Sequence, residues 1–379
     1  MVKKLQVMVV DDTITYRMIL KRVVERIPGA FMCATAPNGK IALAKLAIEK
    51  PDVILLDVEM PEMDGISTLT ELSKNHPHIT VVMVSGTSRS NANIVMECLN
   101  LGAMDFVTKP LESDANLAMT ALSKAITPIF EEISRKRHRA PIGHAAVTAP
   151  KAAPPPRRPA PPPPPRRPAP AAAPRPAAAG GRPAPGKKQK PGLLLIGSST
   201  GGPAALTQVL KGIVGRLSIP ILIVQHMPPV FTASLASQLS RSTGVKVSEA
   251  SEGQQALPGE AILAMGGKHM ILKQTNGALS VSLNDAAKVN ECRPAVDVLF
   301  MSAVAAFQGS ILSVILTGMG RDGSNGVDAL KRTGNTYCIT QTKETCVVYG
   351  MPRAVDEMQL SDESLPLSEI GKRISDLCH

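Results

Sequence analysis

The stretch LLLIGSSTGGPAAL, residues 193–206, runs an apolar segment into a turn of small residues and then into a helical pattern. Gly197-x-Ser199-x-Gly201 has the spacing of a nucleophile elbow, a sharp turn that exposes the Ser199 hydroxyl while small neighbours let a carbonyl approach. The backbone N–H of Thr200 then stands at a helix start, where an oxyanion can be held. The same glycines could cradle a phosphate, but the stretch has neither the GxGxxG fingerprint nor the lysine of a P-loop. A tight strand–helix turn without chemistry has this spacing too, so Ser199 must be read with its partners.

A serine nucleophile needs a base. Downstream of it stand three histidines, His226, His269 and His379. His379 is the last residue, where chains fray. His226 closes the apolar run IPILIVQ and precedes MPP, so it falls at a strand's carboxyl edge as Ser199 does. His269 sits in GGKHM, beside a hairpin pattern whose Asn276-Gly277 is a turn signal. Position therefore favours His226, and Asp322, in the glycine-rich exit of SVILTGMGRDG, can orient it. The order Ser…His…Asp differs from the Ser…Asp…His order of α/β-hydrolases and excludes that family despite the shared GxSxG.

A second constellation lies near the N-terminus. Asp11 and Asp12 end one apolar run, Asp57 another, Ser85 a third, and Lys109 a fourth. Open α/β sheets gather ligands at the carboxyl ends of their strands. Three carboxylates there repel one another unless a cation neutralises them, and Mg²⁺ suits an all-oxygen set. Lys109 adds positive charge for a phosphoryl group, and the Ser85 hydroxyl a donor.

The elements that must position these residues are legible as alternation. KLQVMVV, FMCATA, DVILLDV, TVVMVSG and MDFVTK read as strands. TYRMILKRVVERI, GKIALAKLAIEK, GISTLTELSKN and NANIVMECLNLG between them have helical spacing. This predicts a parallel sheet with helices on both faces. Downstream, GLLLIG, IPILIVQHM, AILAMGG, SILSVILTGMG and NTYCITQT predict a second, larger α/β domain. Between the two, residues 135–190 hold 14 Lys/Arg, no acid and more than half of the 33 prolines. Such a segment cannot build a core and reads as an extended, basic, polyproline tether, with a docking strip for an acidic surface or an anionic membrane as the alternative.

The net charge of +11 belongs to that tether, since the rest of the chain has 28 basic against 31 acidic residues. The distribution does not indicate a nucleic-acid-binding fold. No apolar window reaches the length of a membrane span. MVKKLQVMVVDD is broken by Asp11 and Asp12 and reads as a first strand rather than a signal peptide. Six cysteines without CxxC spacing fit reduced thiols in a cytoplasm.

VVDD, LLDVEMPEMDG, MVSG and FVTKP resemble, in order and spacing, the receiver domain of bacterial response regulators. The resemblance implies a flavodoxin-like fold, phosphorylation of Asp57 by a histidine kinase, Mg²⁺ on Asp11, Asp12 and Asp57, and a switch made by Ser85, Phe106 and Lys109. IGSSTGG, VQHMPPVFTASLA, RPAVDVLF and LTGMGRDG resemble the catalytic domain of the chemotaxis protein-glutamate methylesterase family. That resemblance implies a receiver (1–125), a linker (126–190) and a second doubly wound parallel-sheet α/β domain (191–379) with a Ser-His-Asp triad. It makes Ser199 the nucleophile, His226 the base and Asp322 its orienter, with Thr200 and Met319 at the oxyanion and Arg293 toward an acidic substrate segment. The implied substrates are methylated glutamates of chemoreceptors and, by the same acyl chemistry, their glutamines. The chain is expected to be monomeric and cytoplasmic, with no metal in the esterase site. A non-catalytic α/β binding module under receiver control is the alternative, and an inert Ser199 would reveal it.

Overall fold

The computed structural model describes residues 4–110, 114–139 and 190–379. Five strands, β1 (Leu5–Val10), β2 (Ala30–Ala36), β3 (Val53–Asp57), β4 (Thr80–Ser85) and β5 (Asp105–Thr108), alternate with five helices. These are α1 (Ile14–Arg26), α2 (Gly39–Lys45), α3 (Gly65–Asn75), α4 (Arg89–Asn100) and α5 (Ala115–Arg139). The sheet is parallel with order β2-β1-β3-β4-β5, the flavodoxin-like order. Burial on both faces explains the apolar runs: every residue of β3 is buried. Helix starts are set locally, Asp64 capping α3 and Ser88 capping α4 through backbone N–H groups three residues on.

Helix α5 departs from the expected domain limit. It runs to Arg139, past residue 125, with Pro128 inside it. Ile126, Ile129, Phe130 and Ile133 are buried in the same cluster as Val7, Leu20 and Val107. The part of the chain read as linker from 126 therefore begins as receiver helix, because its apolar residues still have a core to bury against. The rest of the expected linker lies outside the described residues.

The second domain has strands β6 (Leu193–Ser198), β7 (Ile221–Gln225), β8 (Lys246–Glu249), β9 (Glu260–Leu263), β10 (His269–Thr275), β11 (Ala278–Asn284), β12 (Ile311–Ile315), β13 (Thr336–Gln341) and β14 (Glu363–Leu365). Its helices are α6 (Gly202–Ile213), α7 (Phe231–Thr243), α8 (Val296–Ala306), α9 (Ser324–Arg332), α10 (Met351–Glu357) and α11 (Leu367–Cys378). Seven strands make a parallel sheet of order β14-β13-β12-β6-β7-β9-β8. Strand β6 is central, with β12 on one side and β7 on the other, so the direction of winding reverses beside it. Open α/β sheets place their sites at such a switch point. The expected hairpin is present as β10–β11, with positive φ at Asn276 and Gly277 in its turn.

The two domains share a packed face. Buried residues of both fall in one hydrophobic cluster, α4 packs on α6 and α7, and the Phe106 ring stacks on Phe231 with centroids 4.5 Å apart.

Candidate active site

The turn after β6 is shaped by its glycines. Gly201 has φ +76°, a conformation L side chains rarely adopt, and a Cβ on Gly202 would lie 1.9 Å from Gln225 Oε1. That crowding has a purpose: Gln225 braces the turn. Its Oε1 accepts from Ser198 Oγ at 2.7 Å, and its Nε2 donates to the Ser199 carbonyl at 2.8 Å. From the β12 side, Ser199 N–H donates to the Thr317 carbonyl at 3.0 Å, and Thr317 Oγ1 to the Thr200 carbonyl at 2.9 Å. Ser199 is thereby fixed at the carboxyl end of the central strand, half-buried.

His226 follows β7, the neighbouring strand, and its backbone N–H donates to the Ser198 carbonyl. Its Nε2 lies 2.7 Å from Asp322 Oδ2, beyond β12 on the other side. Asp322 is 1% exposed and accepts at Oδ2 from Val296 N–H and at Oδ1 from Asp297 N–H, the start of α8. A helix N-terminus favours a carboxylate. Burial pushes the Asp322 pKa up, but the His226 hydrogen bond and charge, with Val296 N–H and the Asn290 side chain, outweigh it, and the net direction is down. Burial likewise drives His226 toward neutrality, yet its hydrogen bonds with Asp322 and Cys292 lift its pKa to about 10.

Four further residues belong to the site that the sequence did not single out: Gln225, Asn290, Cys292 and Asp297. Asn290 Nδ2 donates to Asp322 Oδ1 and to Asp297 Oδ2, each at 2.9 Å. Asp297 Oδ1 accepts from Gly323 and Gly326 N–H, pinning the loop that carries Asp322. Cys292 Sγ lies 3.4 Å from His226 Nδ1. Only the RPAVD run hinted at Asp297, and nothing in the chain marks residues more than 90 positions away from Ser199, as Asn290 and Cys292 are, as its neighbours.

The other sequence candidates are placed as follows. His269 is buried, its Nδ1 accepting from Ala295 N–H and its Nε2 donating to the Ala287 carbonyl, a fully engaged imidazole tying the hairpin to α8. Thr200 Oγ1 donates to Asp105 Oδ2 of the receiver at 2.5 Å. The N–H groups of Thr200 and Met319 make no hydrogen bond among the described residues, and the Met319 side chain packs on the receiver's α5 cluster. Arg293 Nη1 donates to the carbonyls of Asp285 and Ala286. Ser199 Oγ has no hydrogen bond among the described residues. The structure thus joins His226 to Asp322 and sets Ser199 on the adjacent strand end, with the receiver standing over the turn.

In the receiver, carboxylate oxygens of Asp11, Asp12 and Asp57 lie within 4.8 Å of one another. Lys109 Nζ is 2.7 Å from Asp57 Oδ2 and 2.7 Å from Asp11 Oδ2, but the latter oxygen is buried and accepts no well-formed hydrogen bond. An all-oxygen set with a buried, under-satisfied carboxylate fits a hard divalent cation. Burial pushes Asp57 up to about 6, against the pull of Lys109, so a cation there relieves an unfavourable charge. Ser85 is fully buried with its hydroxyl on the Gly86 carbonyl. Phe106, one strand away, is turned onto Phe231 of the second domain.

Known proteins match this arrangement. The description "CheB methylesterase" fits residues 194–374 and "Response regulator receiver domain" residues 7–121. A protein-glutamate methylesterase/protein-glutamine glutaminase of Desulfotalea psychrophila is 39% identical over 98% of this chain and 98% of its own length. One of Rhodopseudomonas palustris is 40% identical over 98% of this chain and 93% of its own. The crystal structure of the Thermotoga maritima CheB methylesterase catalytic domain is 39% identical and covers 50% of this chain and 100% of its own, with a TM-score of 0.48.

Proposed function

The chain belongs to the CheB methylesterase family, and from that premise we propose that Ser199, His226 and Asp322 are the triad of its phosphorylation-controlled hydrolase. The activity is removal of methyl esters from chemoreceptor glutamates and deamidation of receptor glutamines. The observation that carries the residue assignment is the 2.7 Å His226–Asp322 pair beside the Ser199 turn at the sheet's switch point.

Asp322 holds the Nε2–H tautomer of His226, which leaves Nδ1 to take the Ser199 proton. Ser199 Oγ then bonds to the γ-carboxyl carbon, and the charge that develops on its oxygen faces the free N–H groups of Thr200 and Met319. His226 returns the proton to the departing methoxide, or to the amine of a glutamine, releasing methanol or ammonia. Water, deprotonated by the same nitrogen, cleaves the acyl-enzyme and restores Ser199. Arg293, held by loop carbonyls, is better placed to shape the loop before α8 than to meet substrate.

In the receiver, which we extend through α5 to Arg139, Asp57 accepts a phosphoryl group from a histidine kinase. Asp11, Asp12 and Asp57 would hold Mg²⁺, which supplies neutralising charge to the phosphoryl oxygens. Lys109 orients that group, and Phe106 couples it to the catalytic domain (191–379), whose site the receiver then uncovers. Six cysteines, none of them in a disulfide, fit the cytoplasmic setting of receptor signalling helices. Among the described residues no helix is long and apolar enough to cross a membrane.

The test is methanol release from methylated receptor membranes by wild type and Ser199→Ala, each with and without a small phosphodonor and Mg²⁺. The expected result is release that phosphodonor increases and Ser199→Ala abolishes. Undiminished release by Ser199→Ala would refute the triad, and no release by wild type from any receptor would favour a binding module.

A further inference from the structure

Cys292 touches the catalytic base yet has no part in the acyl chemistry above. Its Sγ lies 3.4 Å from His226 Nδ1 while Nε2 of the same ring is committed to Asp322. With Nε2–H donating to the carboxylate, Nδ1 carries the lone pair, and the thiol S–H is the donor that meets it. That lone pair is the one Ser199 needs, and Ser199 Oγ is unbonded among the described residues.

The turn bearing Cys292 is held from three sides. Asn290 and Glu291 have φ +51° and +64°, strained for residues other than glycine. The turn is closed by paired backbone hydrogen bonds between Val289 and Cys292. Asn290 grips Asp322 and Asp297, and Glu291 reaches Lys124 of the receiver at 2.9 Å. Three consecutive side chains therefore meet the triad carboxylate, the receiver and the triad imidazole. The remaining thiols are elsewhere and suppressed: burial pushes Cys98 and Cys338 up to about 12 and Cys33 and Cys378 to about 11, and Cys346 is buried.

Resting on the esterase reading, we propose that Cys292 is a positioning residue that caps the general-base nitrogen of His226 while the receiver is docked. The capped pair shares one proton: its transfer from Sγ to Nδ1 gives a thiolate and an imidazolium with no other bond changed. An imidazolium has no lone pair for Ser199, so the base is disarmed chemically as well as covered sterically. The titratable groups acting on it are Cys292 and Asp322, with Asp297 behind Asp322 and the Glu291–Lys124 pair on the solvent side. The raised His226 pKa agrees with this arrangement.

Two measurements on the full-length chain test the capping. Iodoacetamide forms an S–C bond as iodide leaves, and the labelled cysteine is read by peptide mass spectrometry between pH 6 and 9. Cys292 should react below pH 7 about tenfold faster in wild type and Ser199→Ala than in His226→Gln, because only a paired imidazole is there to accept the thiol proton. Equal rates in wild type and His226→Gln overturn the pair. The pH profile of unphosphorylated ester hydrolysis is then compared for wild type, Cys292→Ala and Cys292→Ser. Cys292→Ala should raise the neutral-pH rate about fivefold, as loss of one ordinary hydrogen bond predicts, and move the acidic limb to lower pH. Cys292→Ser, which still donates but does not give up its proton, should fall between. A Cys292→Ala profile identical to wild type overturns the proposal. Labelling needs no turnover, so the two readings fail separately: His226-dependent labelling without any methanol release overturns the esterase reading and the capping role with it. His226-independent labelling in an active esterase overturns the capping alone.

Discussion

Truncating Phe106 to alanine removes the ring that stacks on Phe231, at 4.5 Å and 28° between planes. Phe231 is fully buried and Phe106 half-buried. Truncation of a fully buried Phe costs about 3–5 kcal/mol, and an aromatic stack adds roughly 0.5–1.5 kcal/mol beyond area. For a half-buried ring part of whose packing is within the receiver, about 2 kcal/mol falls on docking. At roughly 1.4 kcal/mol per factor of ten, that shifts the docked-to-released ratio about 30-fold. The assay is methanol release from methylated receptor membranes without phosphodonor. The basal rate should rise by up to about 30-fold, capped by the rate of phosphorylated wild type, and the stimulation by phosphodonor should shrink in proportion. A folded Phe106→Ala protein with wild-type basal rate and undiminished stimulation would refute the view that this stack holds the closed state.

Asp322→Asn keeps the shape but removes the charge that holds His226 in its tautomer, and kcat should fall by about 10³–10⁴ in steady-state hydrolysis. Because the folded pKa of His226 is raised, its pairing adds stability that is complete below the ordinary imidazole range, near 6.5. That stability is lost as pH climbs toward about 10; the Tm advantage of wild type over Asp322→Asn should decline across that window, and a pH-independent difference would contradict it. Gly202→Ala drives a methyl into Gln225 Oε1, so chemical denaturation should show a loss of about 1–3 kcal/mol with a larger proportional loss of hydrolysis. Mg²⁺ at tenfold above its Kd should stabilise wild type by about 1.4 kcal/mol and leave Asp11→Asn unmoved; equal shifts in both would argue against the Asp11–Asp12–Asp57 site.

The strands and helices of both sheets are written locally. Alternating apolar runs mark β1, β3, β4, β6, β7 and β12, because a parallel strand buried on both faces must be apolar along its whole length. The short edge strands β8 and β14 escaped notice: with three or four residues, half exposed, they have no such run. Helix α5 outlasted its expected end because an apolar stripe inside a Pro-marked, increasingly basic segment is indistinguishable by composition from the start of a tether.

The sequence by itself placed Ser199, His226 and Asp322 after strand ends, since the glycine turns and strand patterns that position them are short-range. Only the tertiary structure decided which of His226 and His269 meets a carboxylate, because that choice depends on β7 and β12 flanking β6. It also brought Asn290, Cys292 and Asp297 to the triad and laid Asp105 and Phe106 on Thr200 and Phe231. Contacts between residues 25 to 125 positions apart leave no periodic trace in either segment. They exist only once burial of the two sheets has fixed where their loops converge.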